Sequence, residues 1–388
     1  MSLSDRDVVF VSVDPWQETR WARKQMFASL LAEQCRKVVY YVESERSERK
    51  VPTIQRLRHN LLLIDIPNPF RSSRMSLLTR LGNWAVTVSV KILLRCFGIR
   101  EPIFIVYQPH NLWFAKKVAN WTGVSLFCYD MTDDWSKFPG QSEWKVKAIL
   151  EAEEKALRHA DVVFAVSEVL LEKAKKYSRK AYYLPNATSF ENFNLVMSDI
   201  QVDDEILRIS PPRLGYVGKI TGWRLDFDLI KWVAEKKPEW SIVLIGPVHP
   251  NDITQHEVSK LKPLKNIHFL GPKEYWNLAR YIKGFDVCIL PHKDDALTQS
   301  MDPIKLYDYM ATGKPVVAAN VREAAKFSSV IQVAASREEF LSDVEKVLGQ
   351  EVDDLQEQRL SVAKQNSWRD RVQLMANILQ SSLRKVEN

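Results

Sequence analysis

Short apolar runs rich in β-branched residues recur along the chain, and helical patterns separate several of them. In the first half these runs lie at residues 8–13, 38–43, 61–66, 102–107, 125–130 and 161–167, and in the second half at residues 213–218, 241–246, 267–271, 287–291, 315–319 and 330–334. Strands that alternate with helices predict parallel, doubly wound sheets. The sequence therefore predicts an α/β fold, with the loops after the strands on the ligand-binding edge.

The length of 388 residues predicts two domains, because one domain takes roughly 150 residues. We place an N-terminal Rossmann-like domain at 1–196, a linker at 197–212, a C-terminal Rossmann-like domain at 213–365 and a terminal helix at 366–388. The linker has little periodicity and ends in a proline pair, which is typical of a connection between domains. The terminal helix could pack back on the N-terminal domain.

Composition limits the partners and the location. The formal charge of +7 is modest for this length, so it suits an anionic substrate or membrane surface and does not call for nucleic acid. The four cysteines are far apart and the histidines show no metal-ligand spacing, which argues against a zinc site and for a reducing compartment. No window reaches about 18 uninterrupted apolar residues. We expect a cytoplasmic protein with no metal and no bound cofactor.

The stretch 299–319 combines a helix with a buried strand. Pro303 fits the start of the helix and Gly313 fits its end, since proline lacks an N–H and glycine accepts the left-handed conformation. Lys305 and Asp308 stand three residues apart and share one face. A helix N-terminus beside parallel strands favours anions, so the pattern predicts a phosphate site. An ordinary capped helix with solvated Lys305 and Asp308 is the alternative.

A second anion-binding pattern follows the first strand of the second domain. Gly218 permits close backbone approach, and Lys219 and Arg224 lie five residues apart. Two cations at this edge could hold a diphosphate, because the arginine fork can bind it through two hydrogen bonds. The stretch is not a Walker A loop, since no G-K-[ST] follows. Asp226, at a helix start, is more typical of a helix cap than of a metal ligand.

The segment 71–100 carries six cations and no carboxylate. Leu77, Leu81, Trp84 and Val88 recur in it at helical spacing. A basic amphipathic helix is typical of a contact with an anionic membrane surface. It is equally typical of a domain helix whose apolar face is core and whose cations are solvated. The sequence leaves both interpretations open.

Several motifs together resemble a known family. In order they are GYVGK, then Arg224, NIHFLG, FDVCILP and PIKLYDYMATGKPVVAA. This text resembles the C-terminal domain of bacterial retaining glycosyltransferases of the GT-B architecture, near glycosyltransferase family 4. YDMTDDW, ADVVFAVSEVL and YYLPNAT resemble the acceptor domain more loosely, and QNSWRDRVQLM is similar to the ends of capsule, teichuronic acid and exopolysaccharide transferases. The resemblance implies two Rossmann-like domains that face each other across a cleft.

The resemblance also implies a donor site and its roles. Lys219 and Arg224 would bind the donor diphosphate and stabilise its developing charge, so they are candidate catalytic residues. Asp308 stands in place of the glutamate that usually holds the donor ribose, and Ser300 stands where the family has a second glutamate. The implied donor-binding residues are Gly218, Lys219, Arg224, Ser300, Pro303, Ile304, Lys305 and Asp308.

Acidic and basic side chains in the N-terminal half are candidates for the acceptor side. Asp130, Asp133 and Asp134 follow a predicted strand. Asp133 is the candidate for acceptor positioning or base catalysis, and the alternative is a cluster of capping and turn residues. Arg20 and Arg23 could bind an acceptor phosphate, or they could belong to a solvated helix face.

The leading hypothesis is a glycosyltransferase, retaining by resemblance, that moves a hexose from a nucleotide-diphosphate sugar to an acceptor hydroxyl in bacterial cell-surface polysaccharide synthesis. Its expected partners are the nucleotide-sugar donor, a lipid-linked or oligosaccharide acceptor and, through 71–100, an anionic surface on the inner face of the membrane. A nucleotide-sugar epimerase or hydrolase of the same fold is the alternative. A basic nucleic-acid-binding protein is a third hypothesis, which the dispersed cations do not favour.

Overall fold

The computed structural model describes residues 3–14, 16, 21–42, 52–67, 76–351 and 353–387. Within these residues the chain forms an eight-stranded and a six-stranded sheet. The strands are β1 (Asp7–Ser12), β2 (Lys37–Val42), β3 (Thr53–Arg58), β4 (Leu61–Asp65), β5 (Ile103–Val106), β6 (Leu126–Met131), β7 (Val162–Ala165), β8 (Ala181–Tyr183), β9 (Arg213–Val217), β10 (Ser241–Ile245), β11 (Ile267–Gly271), β12 (Val287–Leu290), β13 (Val316–Ala319) and β14 (Gln332–Ala334). The predicted α/β fold class is confirmed.

The described helices follow most of the strands and cover the sheets. They are α1 (Arg23–Leu31), α2 (Ser76–Cys96), α3 (Asn111–Thr122), α4 (Glu143–His159), α5 (Glu168–Lys175), α6 (Phe190–Phe193), α7 (Asp204–Leu207), α8 (Phe227–Lys236), α9 (Asp252–Leu261), α10 (Leu278–Lys283), α11 (Ile304–Ala311), α12 (Arg322–Ala325), α13 (Arg337–Leu348), α14 (Gln356–Lys364) and α15 (Trp368–Glu387). The parallel strands β1, β5, β7, β10 and β12 are buried along their whole length, as expected for strands covered on both faces.

The strand orders fix where a ligand can bind. The first sheet runs β3-β4-β2-β1-β5-β6-β7-β8 and the second runs β11-β10-β9-β12-β13-β14. In each sheet the order reverses beside the first strand, between β1 and β5 and between β9 and β12. Ligands of doubly wound sheets bind outside the carboxyl ends of the strands at such a reversal. The two reversal points therefore predict where each domain contributes to a site.

Strand β3 is the exception to the parallel arrangement, and the sequence analysis missed it. It pairs antiparallel with β4 at the edge of the first sheet. Its sequence, TIQRLR, contains Arg56 and Arg58 and is mostly exposed. A charged edge strand discourages pairing with other chains, and it lacks the apolar run by which the buried strands were recognised.

The segment between the two sheets is partly helical. The predicted linker 197–212 contains α7, whose Ile206 is fully buried. A Cβ at Gly284 would lie 2.3 Å from the Ile206 side chain, so α7 packs closely against the C-terminal domain. At the end of the chain, α15 packs on α1 of the first domain, with the Phe27 and Trp368 rings 5.9 Å apart.

Helix α2 packs on the first sheet, but the side that packs is not the apolar stripe identified in the sequence. Val86, Val90 and Leu94 are buried in the core beneath it. In the predicted apolar stripe, by contrast, Leu77 is 62% exposed and Trp84 is 66% exposed. Among the described residues, Leu77–Cys96 is the one helix that length and composition would allow to cross a membrane, although 22% of it is buried.

Candidate active site

A cleft of about 1420 Å³ lies between the carboxyl edges of the two sheets. Its walls come from the loops after β1, β5 and β6 of the first domain, and from the loops after β9 and β12 and the start of α11 in the second. Pockets for one small molecule usually measure about 300–1,000 Å³. The cleft is therefore larger than a pocket for one small molecule.

Three cations lie on the C-terminal side of the cleft. Lys219, Arg224 and Lys305 all line it. Gly218 has a φ of 143°, and a Cβ there would lie 2.6 Å from Lys305 Cε, so the loop needs glycine at this point. Arg224 Nε is buried and has no hydrogen-bond partner among the described residues. A group of cations with an unpartnered donor is suited to an anionic ligand.

The start of α11 also reaches the cleft. Pro303 immediately precedes the helix, and Met301 to Lys305 line the cavity. Gly313, at the other end, has a φ of 71°, as the sequence predicts for a residue just past a helix. The structure therefore brings the two predicted anion-binding patterns to one wall of one cleft.

Ser300 and Asp308 are buried side chains that are not part of the cleft lining. The Ser300 hydroxyl donates to the carbonyl of Leu297, and its own carbonyl accepts a 2.7 Å hydrogen bond from Ser167. Asp308 Oδ1 accepts a 2.8 Å hydrogen bond from Thr188. Burial raises the pKa of Asp308 to about 8, although Thr188 and Lys305 oppose the shift. In this arrangement the Asp308 carboxyl binds the first domain, and its contact with a donor ribose stays a prediction.

Asp302 is a cleft residue that the sequence analysis missed. It lines the cavity, and it accepts hydrogen bonds from the backbone N–H of Asn186 at 2.6 Å and from the hydroxyl of Tyr307 at 3.0 Å. Burial raises its pKa to about 7, and the Asn186 contact opposes that shift. The acidic residue directly before Pro303 was the sequence signal that could have identified it.

Asp133 lies on the opposite wall, where the sequence placed it. It lines the cleft beside Thr132 and Trp135. Burial raises its pKa, and the positive charges of Arg224 and Lys24 oppose that shift. Asp133 is therefore close enough to Arg224 for the two charges to interact. The loops after β1 and β6 both reach the cavity, through Asp14 and Trp16 in the first case.

Asp134 has a structural role, which corrects its assignment to the acceptor side. Its side chain accepts from Ser136 N at the start of a 3-10 turn, and Lys173 lies 3.0 Å away. It does not line the cleft. The capping interpretation that the sequence left open is the one that fits this residue.

Arg23 and Asp130 form a buried ion pair, and of these two predicted acceptor-side residues only Arg23 lines the cleft. Arg23 Nε and Nη2 donate to the two Asp130 oxygens at 2.9 and 2.8 Å. Asp130 has no exposed surface, so it cannot meet an acceptor. Arg23 and the neighbouring Lys24 both line the cleft, and Lys24 is paired with Asp14. Arg20 lies outside the described residues.

No group of three or more His, Cys, Asp or Glu side chains within the described ranges is placed to hold a metal ion. The cations on the C-terminal wall of the cleft are Lys219, Arg224 and Lys305. Fixed cations can stabilise developing negative charge in the way a bound metal would.

Comparison with known proteins identifies the domain that carries these cations. Residues 211–350 match the family described as glycosyl transferases group 1. They form a glycosyl transferase group 1 domain. Over 258 residues the chain is 30% identical to TuaH of Bacillus subtilis (strain 168), which is provisionally named a teichuronic acid biosynthesis glycosyltransferase. The alignment covers 62% of this chain and 63% of TuaH.

Solved structures share the fold over nearly the whole chain. Sucrose-phosphate synthase from Thermosynechococcus elongatus superimposes with a TM-score of 0.72 at 14% identity, covering 97% of this chain and 98% of that one. Anabaena HepE, solved in complex with UDP and glucose, gives 0.71 at 13% identity and covers 96% and 99%. The trehalose-phosphate synthase of Burkholderia vietnamiensis gives 0.71 at 13% identity and covers 98% and 100%. The fold is GT-B, as the resemblance implied.

Proposed function

We propose that the protein is a glycosyltransferase that moves a sugar from a nucleoside diphosphate to an acceptor hydroxyl. The observation that carries the proposal is the wall formed by Lys219, Arg224 and Lys305 inside the glycosyl transferase group 1 domain. In this reaction the bond from sugar C1 to the diphosphate breaks and a bond from C1 to the acceptor oxygen forms. Negative charge grows on the leaving diphosphate, where fixed cations stabilise it.

The acceptor enters, in this proposal, from the side of the first domain. Asp133 is the carboxylate on that wall, and its raised pKa suits a group that receives a proton or a hydrogen bond from a hydroxyl. The hydroxyl proton then leaves to Asp133 or to the departing diphosphate. Retention of configuration is part of the proposal and rests on the family resemblance.

We further propose that the product is a cell-surface polysaccharide and that the donor is a UDP-sugar. The name of TuaH refers to teichuronic acid biosynthesis, and HepE was solved with UDP and glucose. The first similarity supports the polysaccharide product, and the second supports a UDP-sugar as the donor.

A donor screen tests this proposal. We expect UDP-sugars at a hundredfold excess over Kd to stabilise the fold by about 2.7 kcal/mol, because they bind the folded cleft and not the unfolded chain. The midpoint of thermal unfolding is measured with UDP-, GDP-, ADP- and dTDP-sugars. A donor that binds is then incubated with and without polysaccharide fragments. Fast epimerisation or hydrolysis of the donor without acceptor would show that the protein is a nucleotide-sugar epimerase or hydrolase and not a transferase.

We also propose that α2 places the protein on the inner face of the cytoplasmic membrane. Its exposed stripe contains Leu77, Leu81 and Trp84, and no acidic residue lies in the helix. On the adjoining surface Lys91 lies 5.1 Å from the centre of the Trp121 ring. Exposed tryptophans among lysines suit the headgroup region of an anionic bilayer.

Vesicle sedimentation checks the membrane proposal. We expect the protein to sediment with phosphatidylglycerol vesicles, and Leu81→Glu with Trp84→Glu to reduce the bound fraction about tenfold or more, since two apolar anchors become charged. Leu207→Glu is the matched control, because Leu207 is 57% exposed on α7 of the other domain. Equal binding by the wild type and the α2 variant would show that α2 does not contact the membrane.

A further inference from the structure

His292 follows β12 on the donor side of the cleft. The chain after β12 runs back along the chain after β9, with a bridge between His292 and Leu225. Lys293 secures this arrangement, because its N–H donates to the carbonyl of Arg224 at 2.9 Å and its Nζ donates to the carbonyl of Gly222 at 2.6 Å. The His292 ring is therefore held beside the Arg224 loop.

The imidazole is almost completely enclosed and still has no protein partner. His292 is 2% exposed, and neither ring nitrogen makes a hydrogen bond within the described part of the chain. Thr221 Oγ1 and Arg224 Nε, on the loop that His292 contacts, are also buried without partners there. Buried polar atoms are normally paired. Unpaired polar atoms on three cleft-lining side chains indicate that a bound ligand supplies their hydrogen-bond partners.

Burial and the neighbouring positive charges determine the protonation state of the His292 ring. Burial lowers the pKa of His292 well below its usual range, and the positive charges of Lys305 and Arg224 lower it further. The ring is therefore neutral in the free protein, with one N–H donor and one acceptor. A neutral donor between two cations suits an anionic oxygen, because it adds a directed hydrogen bond without further repulsion between cations.

We propose that His292 is a donor-contact residue whose ring N–H binds an oxygen of the nucleoside diphosphate between Arg224 and Lys305. This assignment rests on the proposed function and goes beyond it, since it adds an uncharged group to the cationic wall. The contact is to the diphosphate, so it exists with the nucleoside diphosphate alone and does not need the sugar.

The test compares two substitutions by calorimetric titration with UDP, and with GDP, ADP, CDP and dTDP. His292→Phe keeps a ring but removes both nitrogens, and we expect it to weaken binding of the preferred diphosphate by roughly tenfold to a hundredfold, the usual range for a hydrogen bond to a charged group. His292→Gln keeps a donor and should retain more affinity. His256→Phe is the control, because His256 is exposed on α9 of the same domain.

Thermal unfolding separates a ligand contact from a structural role. His292→Phe removes unpaired buried polar atoms, so its unfolding midpoint should stay equal to that of the wild type or rise. If His292→Phe lowers the midpoint strongly, His292→Leu, which also lacks both ring nitrogens, replaces it in the titration. Unchanged diphosphate affinity in a folded variant without the ring nitrogens overturns the assignment. Failure of the wild type to bind any of the five diphosphates instead overturns the proposed function.

Discussion

Replacement of Arg224 by alanine is expected to lower kcat/KM for sugar transfer by about 10²–10³-fold, the usual cost of one group that stabilises transition-state charge. The side chain lines the cleft, and its Nε has no partner among the residues that the structure describes. Its loss therefore removes a positive charge that would face the ligand, and it breaks no hydrogen bond that Nε makes within the described residues. The measurement is steady-state transfer with the donor found in the screen.

Two further variants make the Arg224 result specific. Arg224→Lys keeps the charge without the two-pronged geometry, so its activity should lie between those of the wild type and Arg224→Ala. Lys236→Ala removes a cation from the exposed end of α8 and should leave kcat/KM unchanged. Full activity in Arg224→Ala with an unchanged unfolding midpoint would show that the donor diphosphate is bound elsewhere.

The position of Lys219, Arg224 and Lys305 on one wall of the cleft was predictable because it depends on backbone geometry. Pro303 restricts φ, and Gly218 and Gly313 allow the positive φ that other residues avoid, so these local preferences can be read from one stretch of sequence. Parallel strands then bring the loops that follow them to one edge, whatever the distance along the chain. The same reasoning located Lys219 and Arg224, because the loop that carries them follows a parallel strand and therefore lies at the carboxyl edge of the sheet.

Side-chain direction was not predictable, because it depends on distant partners. Asp308 turns to Thr188, which lies 120 residues away in the sequence, and Asp130 turns to Arg23 across 107 residues. The sequence near each aspartate does not indicate which distant residue it will contact. Helix α2 shows the same limit, since the apolar stripe read from its sequence is largely exposed and Val86, Val90 and Leu94 pack on the sheet instead.

The Arg23–Asp130 pair is expected to be the most sensitive polar contact in the fold. Arg23→Ala should lower the free energy of unfolding by about 3–5 kcal/mol, because it leaves a buried carboxylate without its partner. Both side chains are nearly inaccessible to solvent, and Arg23 also donates to the carbonyl of Pro185. Urea unfolding of the variant and the wild type measures the difference.

Two comparisons separate the loss of this pair from an ordinary loss of charge. Lys231→Ala breaks an exposed pair with Glu235 and should cost about 0.5 kcal/mol or less. The double variant Arg23→Met with Asp130→Leu replaces both charges by apolar groups and should recover much of the lost stability, since no unpaired charge remains. If Arg23→Ala instead leaves stability unchanged and raises KM for the acceptor alone, Arg23 binds an acceptor phosphate and the ion pair contributes little to the fold.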